Sequence, residues 1–148
     1  MSDIQSVDQA LSEAAKSGVE YASQTFGVTL DYSEASIEEV EGILSKIYDS
    51  IPRGFLSKLT KKAPTPKELD RIGFMFGGYI AEVIKRHFGG RWKMESSLHP
   101  GQKVLTFEAT GGGELWPQIK VGKRLQNGPE DNVWHYYQAL RERFQKKT

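Results

Sequence analysis

The sequence predicts an α+β domain in which three N-terminal helices precede a small antiparallel sheet of about three strands and a C-terminal helix. Up to residue 88, apolar residues recur three or four positions apart, which is the spacing of one helix face. After Gly90 they alternate with polar residues, as in half-buried strands, and helical spacing returns after residue 131. Helices and strands in separate stretches of a chain are typical of the α+β class.

Length and composition favour one domain, residues 1–148, because 148 residues with 38% hydrophobic content can bury a core of their own. The absence of cysteine excludes disulfides, thiolate nucleophiles and cysteine-based zinc sites. Without a visible secretory signal, the expected location is the cytoplasm. No membrane span is expected, since only ten uncharged residues separate Arg71 from Glu82 in the most apolar stretch, against the roughly 20 that a span needs.

The first helix is predicted over residues 3–26, and a short extended piece, VTLDY, follows it. Ser33 or Ser36 can cap the second helix, because a side-chain oxygen there would accept a hydrogen bond from a free backbone amide. Ser36 and Glu39 match the capping-box pattern. Apolar residues at alternating spacings of three and four then continue the second helix to Ile51.

A connection is predicted over residues 52–64, which hold two prolines, a glycine and four bases. The third helix should begin with Thr65 as its cap, Pro66 in its first turn and Glu68 completing a capping box. It should end before Gly89. Because its middle is apolar on nearly every face, we expect it to be the central helix, covered on several sides.

Three strands are predicted over residues 91–95, 104–109 and 118–121, with HPGQ and TGGGE turns between them. In the first strand, Trp92 and Met94 should point inward. The segment NGPED then opens the last helix, with acids in its first turn where the helix dipole favours them. The predicted core stripe of that helix consists of Val133, Tyr136 or Tyr137, Leu140 and Phe144.

Three glycines, Gly73, Gly77 and Gly78, lie on or near one face of the third helix, where each costs up to about 1 kcal/mol. Close approach of another helix or of the sheet is the ordinary reason for such residues, and contact of a ligand with the backbone is the alternative. The glycine run before Glu114 lacks the Lys-Ser/Thr of a phosphate loop and predicts a hairpin turn.

Charge is distributed unevenly, since residues 1–50 hold ten acids and two bases, whereas residues 51–148 hold nine acids and eighteen bases. The segment DYSEASIEEVE has five acids and no base. It is either a solvated helix start or a surface that meets the basic cleft of a protein partner. The candidate partner-binding residues are Asp31, Glu34, Glu38, Glu39 and Glu41.

A basic face is the alternative binding site. This face is formed by Lys120, Lys123 and Arg124, with Arg91 and Lys93 on a neighbouring strand and Trp116 nearby. Such a basic and aromatic surface would suit single-stranded nucleic acid or another anionic ligand. A net charge of +1 and a pI near 7.9 give little of the basic excess that nucleic-acid binders show, so nucleic acid is the less favoured partner. The candidate anion-binding residues are Lys120, Lys123 and Arg124.

Glu82 is a carboxylate on a helix expected to be buried, and it therefore needs a partner, for which Arg86 and Arg91 are the candidates. A general acid with a raised pKa would fit the same surroundings. We favour the structural reading, since no second catalytic group lies at a fixed spacing from Glu82. The histidines are scattered and no Gly-x-Ser-x-Gly motif occurs, so the sequence predicts no metal, no cofactor and no enzyme activity.

The segments LDYSEASIEEVEGIL, GGYIAEVIKRHFGGRW and KVGKRLQNGPEDNVWHYY resemble a family of small, mostly uncharacterised bacterial domains. The resemblance covers residues 30 to 140 approximately and implies no known reaction. Some proteins of this type look similar to immunity proteins, which bind and neutralise a cognate toxin. The matching positions, which mix core, turn and charge, are Gly78, Tyr79, Glu82, Gly90, Trp92, Lys123, Arg124, Asn127, Gly128 and Asp131.

Together these observations favour a non-catalytic, cytoplasmic protein-binding module, most concretely an immunity-type protein that acts by occlusion or charge complementarity. The expected partner is a protein, such as a toxin with a basic cleft. The alternative is a nucleic-acid or anionic-ligand binding module. Neither the identity of the partner nor the oligomeric state follows from the sequence.

Overall fold

The computed structural model describes residues 3–51, 64–111 and 113–146, with side chains described from residue 7 onward. The connection predicted over residues 52–64 lies outside the described residues except for Pro64, and so does Gly112 of the predicted hairpin turn.

The described residues form five α-helices and one sheet of three strands. The sheet is an antiparallel meander in the order β1-β2-β3, in which Phe107 pairs with Trp92 on one side and with Leu115 on the other. The predicted α+β class and antiparallel sheet are therefore confirmed, but two helices follow the sheet, where the sequence predicted one. The elements are α1 Asp3–Phe26, α2 Ser36–Ser50, α3 Pro66–Phe88, β1 Gly90–Lys93, β2 Thr106–Ala109, β3 Gly113–Leu115, α4 Pro117–Asn127, a 3₁₀ turn Pro129–Asp131 and α5 Val133–Lys146.

Helix α3 is the centre of the fold, as predicted. It begins with a capping box in which Thr65 Oγ1 accepts a hydrogen bond from Glu68 N at 3.1 Å, and it ends at Gly89, whose φ of 91° is left-handed. It packs against α1, α4 and the first two strands, while α2 packs against α4 and α5. None of the described helices combines the length and hydrophobicity that crossing a bilayer would require.

Close helix packing explains two of the three glycines of α3, whereas a Cβ atom built on Gly73 would make only an ordinary contact with Gln118 O at 3.4 Å. A Cβ atom built on Gly77 would lie 2.5 Å from Gln118 Cα in α4, and one built on Gly78 would lie 2.8 Å from the Leu11 carbonyl oxygen in α1. Both neighbours are backbone atoms, which cannot move aside cheaply. The glycines thus let two helices approach α3 on different sides, which confirms the packing interpretation.

The Ser36–Glu39 capping box predicted for α2 is wrong, although Ser33, the other predicted cap, accepts a hydrogen bond from Ser36 N on its hydroxyl oxygen at 3.2 Å. Ser36 is the first residue of the helix, and the cap position is held by Ala35, whose side chain makes no capping bond. The Ser36 hydroxyl instead donates to the Ser33 carbonyl oxygen at 2.6 Å and contacts the Tyr79 hydroxyl at 2.6 Å. The Ser36 side chain therefore makes a tertiary contact with α3 and does not serve as the cap that the local pattern predicted.

The strand predicted over residues 118–121 is also wrong, because these residues belong to α4. Pro117 suits the first turn of a helix, and the buried residues Val121, Arg124 and Leu125 follow at helical spacing. Ile119, expected to be buried, is 48% exposed. The third strand is Gly113–Leu115, whose first two residues belong to the predicted TGGGE turn.

Two predicted side-chain directions near the sheet, Met94 inward and Lys93 outward, are wrong. Met94 is exposed and Lys93 is buried, because β1 ends at Lys93 and its ammonium pairs with Glu114 at 2.8 Å and Glu108 at 3.1 Å. In the last helix, the predicted core stripe is confirmed with Tyr137 as its tyrosine. The NGPED acids precede α5 in the 3₁₀ turn and do not lie in its first turn.

Candidate functional site

Two of the five candidate partner-binding acids hold the fold together. Glu34 accepts a hydrogen bond from the Tyr137 hydroxyl at 2.6 Å, and Glu41 accepts one from Val133 N at 3.0 Å. Burial and the bond to Glu34 both raise the pKa of the Tyr137 hydroxyl. These contacts tie α2 and the segment before it to α5.

Glu41 also forms an ion pair with Arg124, whose side chain is only 1% exposed. Arg124 Nε lies 3.0 and 2.9 Å from the two carboxylate oxygens, and Arg124 Nη2 lies 2.9 Å from Oε2. The guanidinium also lies 5.4 Å from the ring centre of Tyr48. Arg124 is therefore an internal link between α4 and α2, and it is not part of an exposed basic face.

The other three candidate acids, Asp31, Glu38 and Glu39, are exposed. Asp31 Oδ1 accepts a hydrogen bond from Ser33 N at 3.0 Å, and the bonds with Ser33 lower the pKa of its carboxyl. Glu38 and Glu39 lie in the first turn of α2, where the helix dipole favours negative charge. Their exposure leaves these acids accessible to a partner. The hydrogen bond of Asp31 and the helix position of Glu38 and Glu39 also give each of them a local role in the fold.

The sheet cations of the alternative basic face have acidic neighbours within the sheet. Arg91 Nη2 lies 3.5 Å from Glu108, and Lys93 pairs with both Glu108 and Glu114. Since Lys120, Lys123 and Arg124 are on α4, they do not share a sheet face with Arg91 and Lys93.

Glu82 is paired with Arg86, as predicted, at 3.3 Å between Oε1 and Nε. The rest of α3 around it is buried, but its carboxylate lies at the helix edge with 17% of the side chain exposed. Arg86 stacks 3.7 Å above the ring of Tyr32, which in turn stacks on Tyr79. Tyr32 has a φ of 64°, a left-handed conformation that this stack helps to hold.

Most of the other positions that match the bacterial family make structural contacts. The Tyr79 hydroxyl accepts a hydrogen bond from Tyr32 N at 2.7 Å, and Trp92 packs edge-on against Phe107. Asn127 Nδ2 donates to Asp131 Oδ2 at 2.8 Å. Gly128 has a φ of 92°, and its backbone lies so close to Tyr48 that a Cβ atom would come within 2.7 Å of the ring.

Helix α4 carries an exposed ridge formed by Ile119 and Lys123, and a groove lies on each side of it. One groove separates the ridge from α3 and includes Phe74. The second, which we call the α4–α5 groove, has a volume of about 500 Å³ and is bounded by α4, α5, β3 and the β1–β2 loop. The apolar and aromatic residues that line it are Leu98, Val104, Leu115, Trp116, Ile119, Tyr136 and Leu140.

The two grooves collect most of the large apolar side chains that the described residues expose. These are Leu98 at 69% exposure, Ile119 at 48%, Phe74 at 46% and Met94 at 38%. The first three line a groove beside α4, whereas Met94 lines neither. Leu98, Ile119 and Phe74 could not be identified as surface residues from the sequence, because apolar residues carry no local signal that they will stay exposed.

Within the described part of the chain, the charged groups of the α4–α5 groove are mostly cationic: Lys120, Lys123 and Arg143 contribute to its lining beside a single acid, Glu114. Lys120 Nζ bonds to Asp131 Oδ1 at 2.9 Å, whereas exposed Lys123 forms no ion pair within 4 Å among the described residues.

The acid of the groove lining, Glu114, is saturated by the contacts it makes. It accepts hydrogen bonds from Ser96 and Ser97 and pairs with Lys93, and these contacts hold the pKa of its carboxyl at about 2. The negative charge of Glu114 is thus compensated by groups of the same fold.

Comparison of the chain with models of known protein families, with curated proteins and with solved structures gives no match. Within the described residues, no cluster of three or more histidine or acidic side chains is arranged to bind a metal ion. The function must therefore be argued from the geometry of the surface.

Proposed function

We propose that this protein is a non-catalytic protein-binding module that uses the surface around α4. The observation that carries the proposal is the collection of exposed Phe74, Leu98 and Ile119 in two grooves beside one cationic ridge. Grouped exposed apolar side chains with a polar rim are typical of interaction sites, because their contact with water is unfavourable. Scattered exposed residues would need no such explanation.

The character of these side chains favours a protein partner. Leu98 and Ile119 are aliphatic, and aliphatic groups pack against the apolar side chains of another protein rather than against bases. The cationic contribution is modest, since Arg124 is internal and Lys120 is neutralised by Asp131. A nucleic-acid site would need a larger uncompensated positive charge.

The specific form that we propose is an immunity-type protein that neutralises a cognate toxin by occlusion. The resemblance of three segments to bacterial domains of this style supports it. A toxin with a basic cleft would also contact Asp31, Glu38 and Glu39, which remain exposed near the start of α2. Glu34 and Glu41 are left out of this contact because their carboxylates are engaged inside the fold.

The experiment is a pull-down from native cells with three baits, namely the unchanged chain, Ile119→Asp and Met94→Asp. Met94→Asp is the matched control, because it introduces the same charge at an exposed apolar residue outside both grooves. A protein retained by the unchanged chain and by Met94→Asp but lost with Ile119→Asp supports the proposal. Equal recovery on all three baits would refute it.

The immunity-type form has its own test, in which the product of the neighbouring gene is mixed with the chain and its toxicity and binding are measured. Reversal of Asp31, Glu38 and Glu39 to lysine should weaken that binding by tenfold or more and slow association, since complementary charge mainly raises the association rate. Unchanged binding after this triple reversal would exclude the acidic surface. Absence of any binding would exclude that partner.

A further inference from the structure

We infer that the α4–α5 groove binds an acidic, amphipathic segment of a protein partner, with an apolar side chain in the groove and carboxylates on the cationic rim. This inference rests on the proposed function and assigns a chemistry to the partner. It concerns the groove between α4 and α5 and not the one beside α3.

The shape and lining of the groove select an apolar anchor. A volume of about 500 Å³ lies within the usual range of ligand pockets, roughly 300 to 1,000 Å³, which are also mainly apolar. Its floor includes buried Leu115 and Leu140, and its open edges are Leu98 and Ile119. A leucine or phenylalanine entering there would remove both exposed edges from water, which favours binding.

The rim selects negative charge next to that anchor. Lys123 is exposed on the ridge, four residues and one helical turn from Ile119, so a carboxylate beside the anchor can reach it. Lys120 and Arg143 also line the groove, but Lys120 is already paired with Asp131, so Lys123 is the rim cation that a partner carboxylate would contact. The acids near them act inside the fold, since Glu114 is held by Lys93, and Asp131 is held by Lys120 and Asn127.

The arrangement of the aromatic rings in the groove does not favour a nucleic-acid ligand. The Trp116 ring is nearly parallel to that of His99, with centres 6.3 Å apart, and its Nε1 donates to Thr106. The Tyr136 ring is covered by the Lys120 ammonium at 5.5 Å. Bases bind to single-strand sites by stacking on open aromatic faces, and one face of each of these rings already has a protein neighbour.

The experiment is selection of a random peptide library on the full chain, with removal of peptides that also bind Ile119→Asp. Enriched peptides should pair a leucine, phenylalanine or tryptophan with at least two acidic residues. Their affinity should fall at least tenfold with Ile119→Asp and at least threefold with Lys123→Glu, whereas Met94→Asp should leave it unchanged. The Lys123→Glu effect should shrink at high salt, because the interaction of exposed charges is screened.

The possible outcomes separate the inference from the proposed function. Peptides that depend on Ile119 but carry no acids would overturn the acidic class and leave a protein-binding surface in place. Failure to enrich any peptide that depends on Ile119 would overturn the inference, and the pull-down would then decide the broader proposal by itself. If labelled oligothymidylate binds and Ile119→Asp abolishes that binding, the occupant of the groove is nucleic acid and not an acidic peptide. If sedimentation shows that the chain self-associates through this groove, the occupant is a second copy of the chain.

Discussion

Replacement of Glu41 by alanine should destabilise the protein severely, although this acid lies in the segment that looks most like a solvated acidic surface. The carboxylate is the described ion-pair partner of Arg124, which is 1% exposed, and it also accepts a hydrogen bond from Val133 N. Its removal leaves a guanidinium buried without a counterion and a helix-start amide without an acceptor. Breaking a buried pair in this way costs about 3–5 kcal/mol.

For a chain of this length, each kcal/mol lowers the melting temperature by about 2–4 °C, so the expected fall is about 6–20 °C. Urea denaturation gives the free energy directly, and Glu38→Ala is the matched control because Glu38 is an exposed acid on the same helix. Glu38→Ala should cost less than about 1 kcal/mol. The double variant Glu41→Leu with Arg124→Met should recover most of the loss, since an apolar pair of similar volume has no buried charge. If Glu41→Ala costs no more than Glu38→Ala, Arg124 is not held as described.

Two further predictions follow from the packing of α3 and from the sheet. Gly77→Ala should cost at least about 2 kcal/mol, because the new Cβ atom would lie 2.5 Å from Gln118 Cα, whereas Gly73→Ala, with its nearest contact at 3.4 Å, should be neutral or stabilising. Equal effects in thermal unfolding would show that α3 and α4 are farther apart. Because the pKa of Glu114 is lowered from 4.5 to about 2, its contacts stabilise the fold fully above pH 4.5, and that contribution is lost as pH falls toward 2. Glu114→Gln should therefore show a shallower loss of stability over this range in urea titrations, and parallel curves would contradict the assignment.

The acidic segment shows why a charge pattern does not define a binding surface. Asp31, Glu34, Glu38, Glu39 and Glu41 look equivalent in the sequence, yet two of them bond to α4 and α5. The partners, Tyr137 and Arg124, are 103 and 83 residues away along the chain. Part of the charge asymmetry between the two regions of the chain is thus internal complementarity.

The sequence by itself determined the elements whose signals are local. Thr65, Pro66 and Glu68 fixed the start of α3, because capping depends on atoms within one turn. Gly27 and Gly89, both at positive φ, followed the ends of α1 and α3, where few other residues tolerate that conformation. The Glu82 to Arg86 pair was also predictable, since four residues bring two side chains to the same helix face.

Only the tertiary structure decided the identity of α4 and the surface around it. The segment from Gln118 to Val121 has only four residues, and two apolar positions in so short a segment fit either a strand or a helix. The spacing of apolar residues could therefore not distinguish the two. Packing of Gln118 against Gly77 positions the helix, packing against α2 buries Arg124, and Ile119 and Lys123 remain in solvent. Exposure is a property of what lies opposite a side chain, and that is set by residues far away in the chain.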